Sequence, residues 1–496
     1  MILDSSGLPI SSADNLKQMG RSTNYVSGSR GRRAGSMTTR KAGPNSAVVA
    51  ELRVIQGRSQ DASRNSPHIK NAHRQLVSHE IGSGIKPRFE LKNPKLNDAI
   101  TELWSQSCKE LVSDGVGNFY AGLRLISRAR NESGEVFIRR RRKQSRSSLA
   151  VPIQVQILES EMLDASYDDL LTNGNIVRAG VELNRSGERV AYHFFINHPD
   201  EKIGFSGLSN ERVRVLAKDV IHHFIPTRNG QLRGVPINSA SLFKNANLEQ
   251  YDDYELERKK LKSAFTGTIE TEAKWNDKGQ QLDAITGQPI TGDEETPDVS
   301  TTAGSITELA AGETLNLFDA EKGGEFYSDY MRQQLMSIAS DHGIPYELMS
   351  GDWSQIKSDR LWRSAMNSFK REIGAIQDIY MVGQVCAQVQ AWWTDAIVLH
   401  DRLTLPNYST QRSEYLKCDW TPQGWAYEHP VQDLQAAKLG IEMGLTTVHS
   451  EARKRSGDAK SAQEENVLYR ARQKELEDEH NLTEDVDKNE SDSDSN

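Results

Sequence analysis

The chain has 496 residues, a formal net charge of −8, a hydrophobic fraction of 36 % and a mean hydropathy of −0.64. The last two are low for a compact globule of this length, so part of the burial is expected to come from helices packed between copies of the chain. No run of about 18 apolar residues marks a membrane span, and residues 1–10 lack the basic start and apolar core of a secretory signal.

Residues 1–46 hold seven Lys or Arg against Asp4 and Asp14 among many Gly, Ser and Asn, and are expected to form a disordered basic arm. Helical patches follow over 52–77, 94–111 and 114–128, the second carrying Leu96, Ile100, Leu103 and Trp104. From 134 to about 224 the pattern changes to short alternating runs, at 136–138, 153–157, 176–177, 190–195, 213–215 and 220–221. Turn signals such as Asn173-Gly174 separate them, and the region is read as β-rich. Helical reading resumes up to about 264, with Glu255 four residues before Lys259. Residues 277–303 read as an exposed polar loop, and 306–318 as two short strands.

Residues 325–342 carry a helical apolar stripe that Gly343 can close in the left-handed conformation and Pro345 cannot continue. Ser358 is placed to cap a second long helix bearing Leu361, Trp362, Met366, Phe369 and Ile373. Between the two lies a loop whose Gly343, Gly351, Ser350, Asp352, Ser354 and Gln355 are expected to allow motion, with Lys357 opposing Asp352 in charge. Trp353 in this polar setting is either a packed anchor or an exposed contact. Residues 408–424 read as irregular. Pro430 starts a helix that Gly444 ends, Thr446 or Thr447 caps the next, and a final helix runs over 462–479. Residues 475–496 hold ten acids against Lys488, a net of −9, which leaves the rest of the chain at about +1.

Little in this chain looks like catalysis. Cys108, Cys386 and Cys418 are odd in number and without metal-ligand spacing, and read as reduced thiols of a protein made in a cytoplasm. His222 and His223 are adjacent on a strand, so they point to opposite faces and do not share an ion. Asp252, Asp253, Glu255 and Glu257 fall within six helical residues, a charged helix surface rather than carboxylates converging from several elements. The chain carries neither a nucleotide-binding glycine loop nor a nucleophile elbow. The basic run Arg139, Arg140, Arg141, Arg142, Lys143 reads as a solvated hairpin tip, with contact to DNA as the sharper alternative. No cofactor, metal or catalytic residue is expected.

Gly343-Ile-Pro-Tyr-Glu-Leu-Met-Ser-Gly-Asp352 resembles a segment of the lambda-family bacteriophage portal proteins, and the resemblance runs over about 48–475. Gly82-Ser-Gly-Ile-Lys-Pro87, Trp104, Gly134-Glu-Val-Phe137, Gln154-Val-Gln-Ile-Leu-Glu159, Gly180-Val-Glu182, Ala191-Tyr-His-Phe194 and Asp219-Val-Ile-His222 fall in the family's order. So do Gln231-Leu-Arg-Gly-Val-Pro236 and Tyr251-Asp-Asp-Tyr-Glu255. Two departures are His429-Pro430, where the family has Asp-Pro, and the polar insert near 271–303.

The resemblance implies a non-enzymatic α+β protein of portal-type fold, with a β-rich wing, long stem helices, a small α/β clip and a helical crown. Mapped onto this chain, the wing takes 47–235, the stem helices 236–266 and 324–343, and the clip 267–323. A tunnel loop takes 344–358, a long helix and wing return 359–424, the crown 425–475, and a disordered acidic tail 476–496. It also implies a ring of about twelve copies at one capsid vertex, through which double-stranded DNA passes, built in the host cytoplasm and retained in the virion. Terminase, the major capsid protein and a head-completion or tail adaptor would be partners, and no membrane. Ser350, Asp352, Trp353, Ser354, Gln355 and Lys357 are then candidates to face the channel. The alternatives from other classes are a nuclease-like DNA-processing enzyme of a mobile element and a ring-forming scaffold without a DNA channel.

Overall fold

The computed structural model describes residues 42–201, 211–264, 267–271, 274–275, 281–282, 287–289, 313–317, 327–354, 356, 358–426, 429–455 and 459–479. The expected arm up to residue 41, the acidic tail beyond residue 479 and most of the polar insert lie outside them. Three short helices open the described chain: α1 (Pro44–Val49), α2 (Leu52–Asn65) and α3 (Pro67–Glu80). Then come β1 (Lys86–Phe89), α4 (Pro94–Ser107) and α5 (Phe119–Ser133). Asn118 caps α5 by accepting the Ala121 N–H at 2.9 Å, and Gly134 closes it at φ +85°.

The β-rich region forms two antiparallel sheets. β2 (Glu135–Arg142) is the middle strand of one, between β3 (Ile153–Leu158) and β9 (Val220–Phe224). The other sheet runs in sequence order from β4 (Asp169–Leu170) through β5 (Ile176–Arg178), β6 (Val181–Leu183) and β7 (Arg189–Phe195) to β8 (Arg212–Leu216). Side chains alternate across a strand, so β2 serves two cores. Val136 and Ile138 enter a core with Trp104, Phe119, Trp393 and Trp420, while Phe137 enters the inter-sheet core with Tyr192 and Phe194. Trp104 is the hub of the first core. Trp393, Phe119 and Trp420 meet it edge-on, with ring centroids 5.0, 5.6 and 5.7 Å away.

A third core is helical. α3 packs with α6 (Leu242–Ala264), α7 (Tyr327–His342), α8 (Tyr346–Ser350) and α9 (Asp359–Ala375) around Ala72, Leu248, Ile338, Met349, Phe369 and Ile373. α6 and α7 lie side by side through Tyr251 and Tyr330, 4.8 Å apart. The segment between these helices holds the paired strands β10 (Gly267–Thr271) and β13 (Glu313–Leu317), and the pair β11 (Lys274–Trp275) and β12 (Gln281–Leu282). β12 corrects the reading of 277–303 as loop throughout. Of the two strands expected over 306–318, the described residues hold one, β13.

α9 continues without a break through a π-helical segment, Ile376–Cys386, into α10 (Ala387–Leu399), because the junction residues keep right-handed helical angles. These spans of 17, 11 and 13 residues carry one continuous rod from the helical core into the tryptophan core. The π segment uses its polar side chains as ties. Gln377 donates to the carbonyls of His79 and Glu80 at the end of α3, and Gln384 accepts from His223 at 2.9 Å.

The stretch 408–424 is not irregular as expected. It holds α11 (Tyr408–Tyr415) and β14 (Cys418–Thr421), which pairs with β1 in the register Phe89↔Cys418 to Lys86↔Thr421. A four-residue strand stabilised only by so distant a partner leaves no local signal. The chain ends in α12 (Pro430–Glu442), α13 (Val448–Arg453, capped by Thr447) and α14 (Ala459–Glu479). No residue of α12 is buried, and no described helix is long and apolar enough to cross a membrane.

Buried polar groups are concentrated at the junctions. Arg130 pairs with Glu80 at 2.6 Å, both almost fully buried. His222 and His223 face opposite sides of β9, His222 toward Glu135 at 2.9 Å and His223 toward Gln384. With His73 of α3 they are buried histidines whose pKa values desolvation pushes down, to about 4 for His222 and about 3 for His223 and His73. The unfolded chain protonates such groups below about pH 6.5, whereas the folded chain waits until about pH 3–4. Stability is therefore expected to fall as pH drops from about 6.5 toward 4, by up to about 1.4 kcal/mol per pH unit for each histidine. Denaturant unfolding at about pH 7 and about pH 5, at one protein concentration, measures it. Equal unfolding free energies at the two would refute it.

Candidate nucleic-acid interface

The segment between α7 and α9 is held by its own backbone before any side chain acts. Gly343 sits at φ +67°, and its N–H donates to the Ser340 carbonyl while that of Ile344 donates back to Ala339, 3.2 and 3.1 Å. This pair closes α7 in a Schellman turn, and Ile344 completes it by entering the helical core. α8 follows inside the stretch expected to be loop. Its end is closed by Gly351 at φ +74°, and Asn71 of α3 donates to the Leu348 and Met349 carbonyls at 2.9 and 2.7 Å.

The polar side chains expected to leave this loop free instead brace it. Ser350 Oγ donates to the Tyr346 carbonyl and accepts the Asp352 N–H, at 2.9 and 3.1 Å. Asp352 Oδ1 accepts both the N–H and the hydroxyl of Ser354, at 3.0 and 2.6 Å, and Oδ2 accepts the Tyr346 hydroxyl at 3.2 Å. The Ser354 bonds hold the Asp352 carboxyl below its ordinary range. Trp353 is 52 % exposed and leans edge-on against Trp362, 5.2 Å between centroids, so it is anchored on one face and open on the other. Gln355 and Lys357 lie outside the described residues, so the opposition of Asp352 by Lys357 rests on the sequence alone. Ser358 stands at the cap position of α9 without a side-chain cap bond.

The basic run is not a hairpin tip. Arg139, Arg140, Arg141 and Arg142 are in β2 itself, paired with Val220 or with β3 residues, and only Lys143 lies beyond the strand. Strand alternation separates them into two faces. Arg140 and Arg142 both turn to Asp219, with Arg140 Nε at 2.7 Å and Arg142 Nη2 at 3.1 Å. Arg140 also lies over the Trp392 ring, 5.3 Å from its centroid. Two of the five basic groups are thus spent on a shared carboxylate. Arg139 is half-buried, and Arg141 and Lys143 are exposed.

The acidic run of α6 is structural as well. Glu255 pairs with Arg258 and Lys259 at 2.6 and 3.8 Å, and Asp252 accepts the Tyr327 hydroxyl from α7. Sequence reasoning overlooked Glu159, Glu161 and His198, whose ligand atoms lie within 4.8 Å of one another. They come from two segments that touch only in the fold. His198 pairs with Glu159 at 3.2 Å, and Glu161 accepts from Gln60 at 2.7 Å. It also overlooked a groove between α3 and α5, lined by Lys70, Arg74, Arg124 and Arg128, because the four cations lie on two helices and only in pairs along the chain.

The family model described as phage portal protein, lambda family, matches residues 30–377. A probable portal protein of Halomonas phage phiHAP-1 is 25 % identical over 429 residues, covering 83 % of this chain and 78 % of that protein. Portal protein B of Escherichia phage lambda is 24 % identical over 304 residues, and the match spans 57 % of this chain and 56 % of the lambda protein. Among solved structures, a chain from the virion of a native gene transfer agent particle has a TM-score of 0.45 at 12 % identity, covering 83 % of this chain and 92 % of that one. A chain from the neck of the same kind of particle, computed with C12 symmetry, has a TM-score of 0.43 at 14 % identity, covering 85 % and 95 %. With the family match running from residue 30 to residue 377, this chain belongs to the lambda family of phage portal proteins, whose role is structural rather than catalytic.

Proposed function

We propose that copies of this chain close into a ring, of about twelve, at one vertex of a phage capsid, and that double-stranded DNA is packaged and later ejected through its centre. The observation that carries the assembly is the set of apolar side chains left exposed among the described residues. On α12 and the turn after it Val431, Leu434, Leu439, Met443 and Leu445 are 52–79 % exposed, and on α6 Phe243 and Tyr254 are 70 and 67 % exposed. Apolar side chains this exposed along a helix mark surface that a partner covers, and neighbouring copies in a ring would bury them. The assignment to the portal family supplies the direction of the reading.

On this reading residues 47–235 with the return through 359–424 form the wing, and α6 and α7 form the stem. Residues 267–323 form the clip, 344–358 the loop beside the channel, and 425–475 the crown. Terminase, the major capsid protein and a head-completion or tail adaptor dock on the assembled ring, which is built in the host cytoplasm and stays in the virion. The loop suits contact with moving DNA because its charges are few and its Asp352 carboxylate is engaged by Ser354 and Tyr346. Affinity for duplex DNA grows with the number of basic groups that displace counterions, and a body near neutrality grips weakly.

Replacing Asp352 and Ser354 together by arginine adds two cations beside the channel and removes the internal brace. Rings seen by negative-stain imaging are expected to form as before, while DNA uptake, read by nuclease protection in the same preparation, is expected to slow or stall. Normal uptake with both substitutions present would place this loop away from the DNA path, and an absence of rings in the unaltered protein would sink the portal reading itself.

The acidic residues after Leu476 are expected to be dispensable for assembly, because a block of like charge repels itself and contributes no core. A chain ending at Leu476 is expected to give rings of the same diameter and yield. Failure to assemble would make the tail part of the ring.

A further inference from the structure

The groove between α3 and α5 has a volume of about 480 Å³ and gathers Lys70, Arg74, Arg124 and Arg128, with no acidic residue among those lining it. In a chain of net charge −8, such a gathering is a local reversal of sign. The three guanidinium groups are already aimed. Arg74 Nη2 donates to Asn71 Oδ1 at 2.6 Å, Arg124 Nη1 to the Gly82 carbonyl at 2.6 Å, and Arg128 Nε to Glu132 Oε1 at 3.0 Å. Each keeps further N–H groups for another acceptor. Among the described residues only Arg128 of these three is offset by a carboxylate, and that pair is half-exposed and worth little.

A buried group points the same way. His73, which lines this groove, is 2 % exposed and has an Nε2 without a hydrogen-bond partner, while its Nδ1 is occupied by Ser63 at 2.9 Å. Burial, with the nearby His342 and Arg128, keeps this imidazole neutral. An anion in the groove would supply the counter-charge that lets Nε2 take a proton and donate it.

Resting on the portal reading, we infer that this groove is a phosphate-binding site that takes the backbone of duplex DNA through Lys70, Arg74, Arg124 and Arg128. Forked guanidinium groups match phosphate oxygens two at a time, and a lysine adds a mobile point charge. The site is also wired to the loop after α7. Arg74 holds Asn71, and Asn71 holds the last carbonyls of α8, so a phosphate drawn to Arg74 pulls on the bond that fixes the end of that helix.

The test is binding of a short fluorescein-labelled duplex to the full chain, followed by anisotropy over a salt series. Replacing Lys70, Arg74, Arg124 and Arg128 by glutamine is expected to weaken binding by about tenfold or more at low salt. The salt dependence is expected to flatten by about 0.9 in slope for each phosphate that is no longer neutralised. Because Arg74 and Arg124 also hold structure, a second variant with Lys70→Gln and Arg128→Gln alone is expected to show part of both effects with an unchanged melting temperature. Arg139→Gln with Arg141→Gln serves as the comparison and is expected to bind nearly as the unaltered chain does.

Duplex affinity and slope unchanged in both groove variants would overturn the inference. So would stabilisation by inorganic phosphate that the variants lose while duplex binding stays intact, which would make the groove a free-anion site. A synthetic peptide of residues 475–496 that binds the unaltered chain but not the variants, with duplex binding intact, would assign the groove to the chain's own acidic tail and overturn it too. Ring imaging of the same variants keeps the two readings apart. Rings with unchanged duplex binding refute the groove alone, and only a failure of the unaltered chain to form rings touches the portal assignment.

Discussion

The fold depends on one buried carboxylate. Glu135 opens β2 with no exposed surface, and three separate parts of the chain turn four donors toward it. Arg233 Nε is 2.7 Å away, the Gly234 N–H 2.7 Å, His222 Nε2 2.9 Å and the Ser160 hydroxyl 2.6 Å. Burying a charge alone costs several kcal/mol, so Glu135 stays ionised only because this ring of donors outweighs the desolvation that opposes it, with Arg233 contributing most. Arg233 also donates to the Ala179 and Ser160 carbonyls, which ties the second sheet to the same point. Losing Arg233 would leave the carboxylate buried and unpaired, a change that costs about 3–5 kcal/mol in comparable settings. Backbone contact seals the junction. A Cβ on Gly234 would stand 2.1 Å from the Gly134 carbonyl oxygen, and one on Gly134 would stand 2.2 Å from the Val235 carbonyl carbon. Only glycine at both positions lets the turn before α6 approach the start of β2.

From that junction the rest of the positioning follows. The turn at Arg233 and Gly234 sets where α6 begins, and α6 packs on α7, whose end presents the braced loop. The rod of α9, the π segment and α10 reaches the same loop from the other side and is fixed by side chains rather than by propensity. Gln377 closes the carbonyl end of α3, Gln384 engages His223, and Trp393 enters the tryptophan core. A π-helical stretch, bonded i to i+5, packs more residues into each turn and so turns side chains to directions that a regular helix would not give them. The loop, the α6–α7 pair and the β-rich region therefore share one frame, and the loop's local bonds refine a position that distant contacts determine.

What can be read in the sequence is what local chemistry decides. Gly343 announces its left-handed turn, Pro430 and Thr447 their helix starts, and the alternation around Val136 and Tyr192 the strands, because each signal lies within a few residues of its effect. Glu135 and Arg233 each fall in a motif of the family, yet nothing local says that residues 98 positions apart form a pair. β14 is unreadable for the same reason, being a strand only while β1 is beside it. The basic run misleads because its charge is counted without Asp219, which engages Arg140 and Arg142 from the turn before β9. The loop's polar residues suggest freedom, but Asp and Ser side chains bond the backbone two residues on as readily as they bond water.

This pairing of charges has a consequence for a protein through which DNA must slide. Counterion release makes each free cation near a phosphate a point of retention, so cations that are already paired leave retention to the few that are not, such as those of the groove between α3 and α5. Arg140 and Arg142 share Asp219, Arg214 is held by Glu182 at 2.6 Å, and Arg130 is buried with Glu80. The apolar surface tells the same story from the other side. The β-rich region buries its apolar side chains in two aromatic-rich cores within one chain, whereas no residue of α12 is buried, and burial of α12 is what neighbouring copies in the proposed ring would supply. In the proposed ring, burial within the β-rich region and burial between copies then draw on different surfaces.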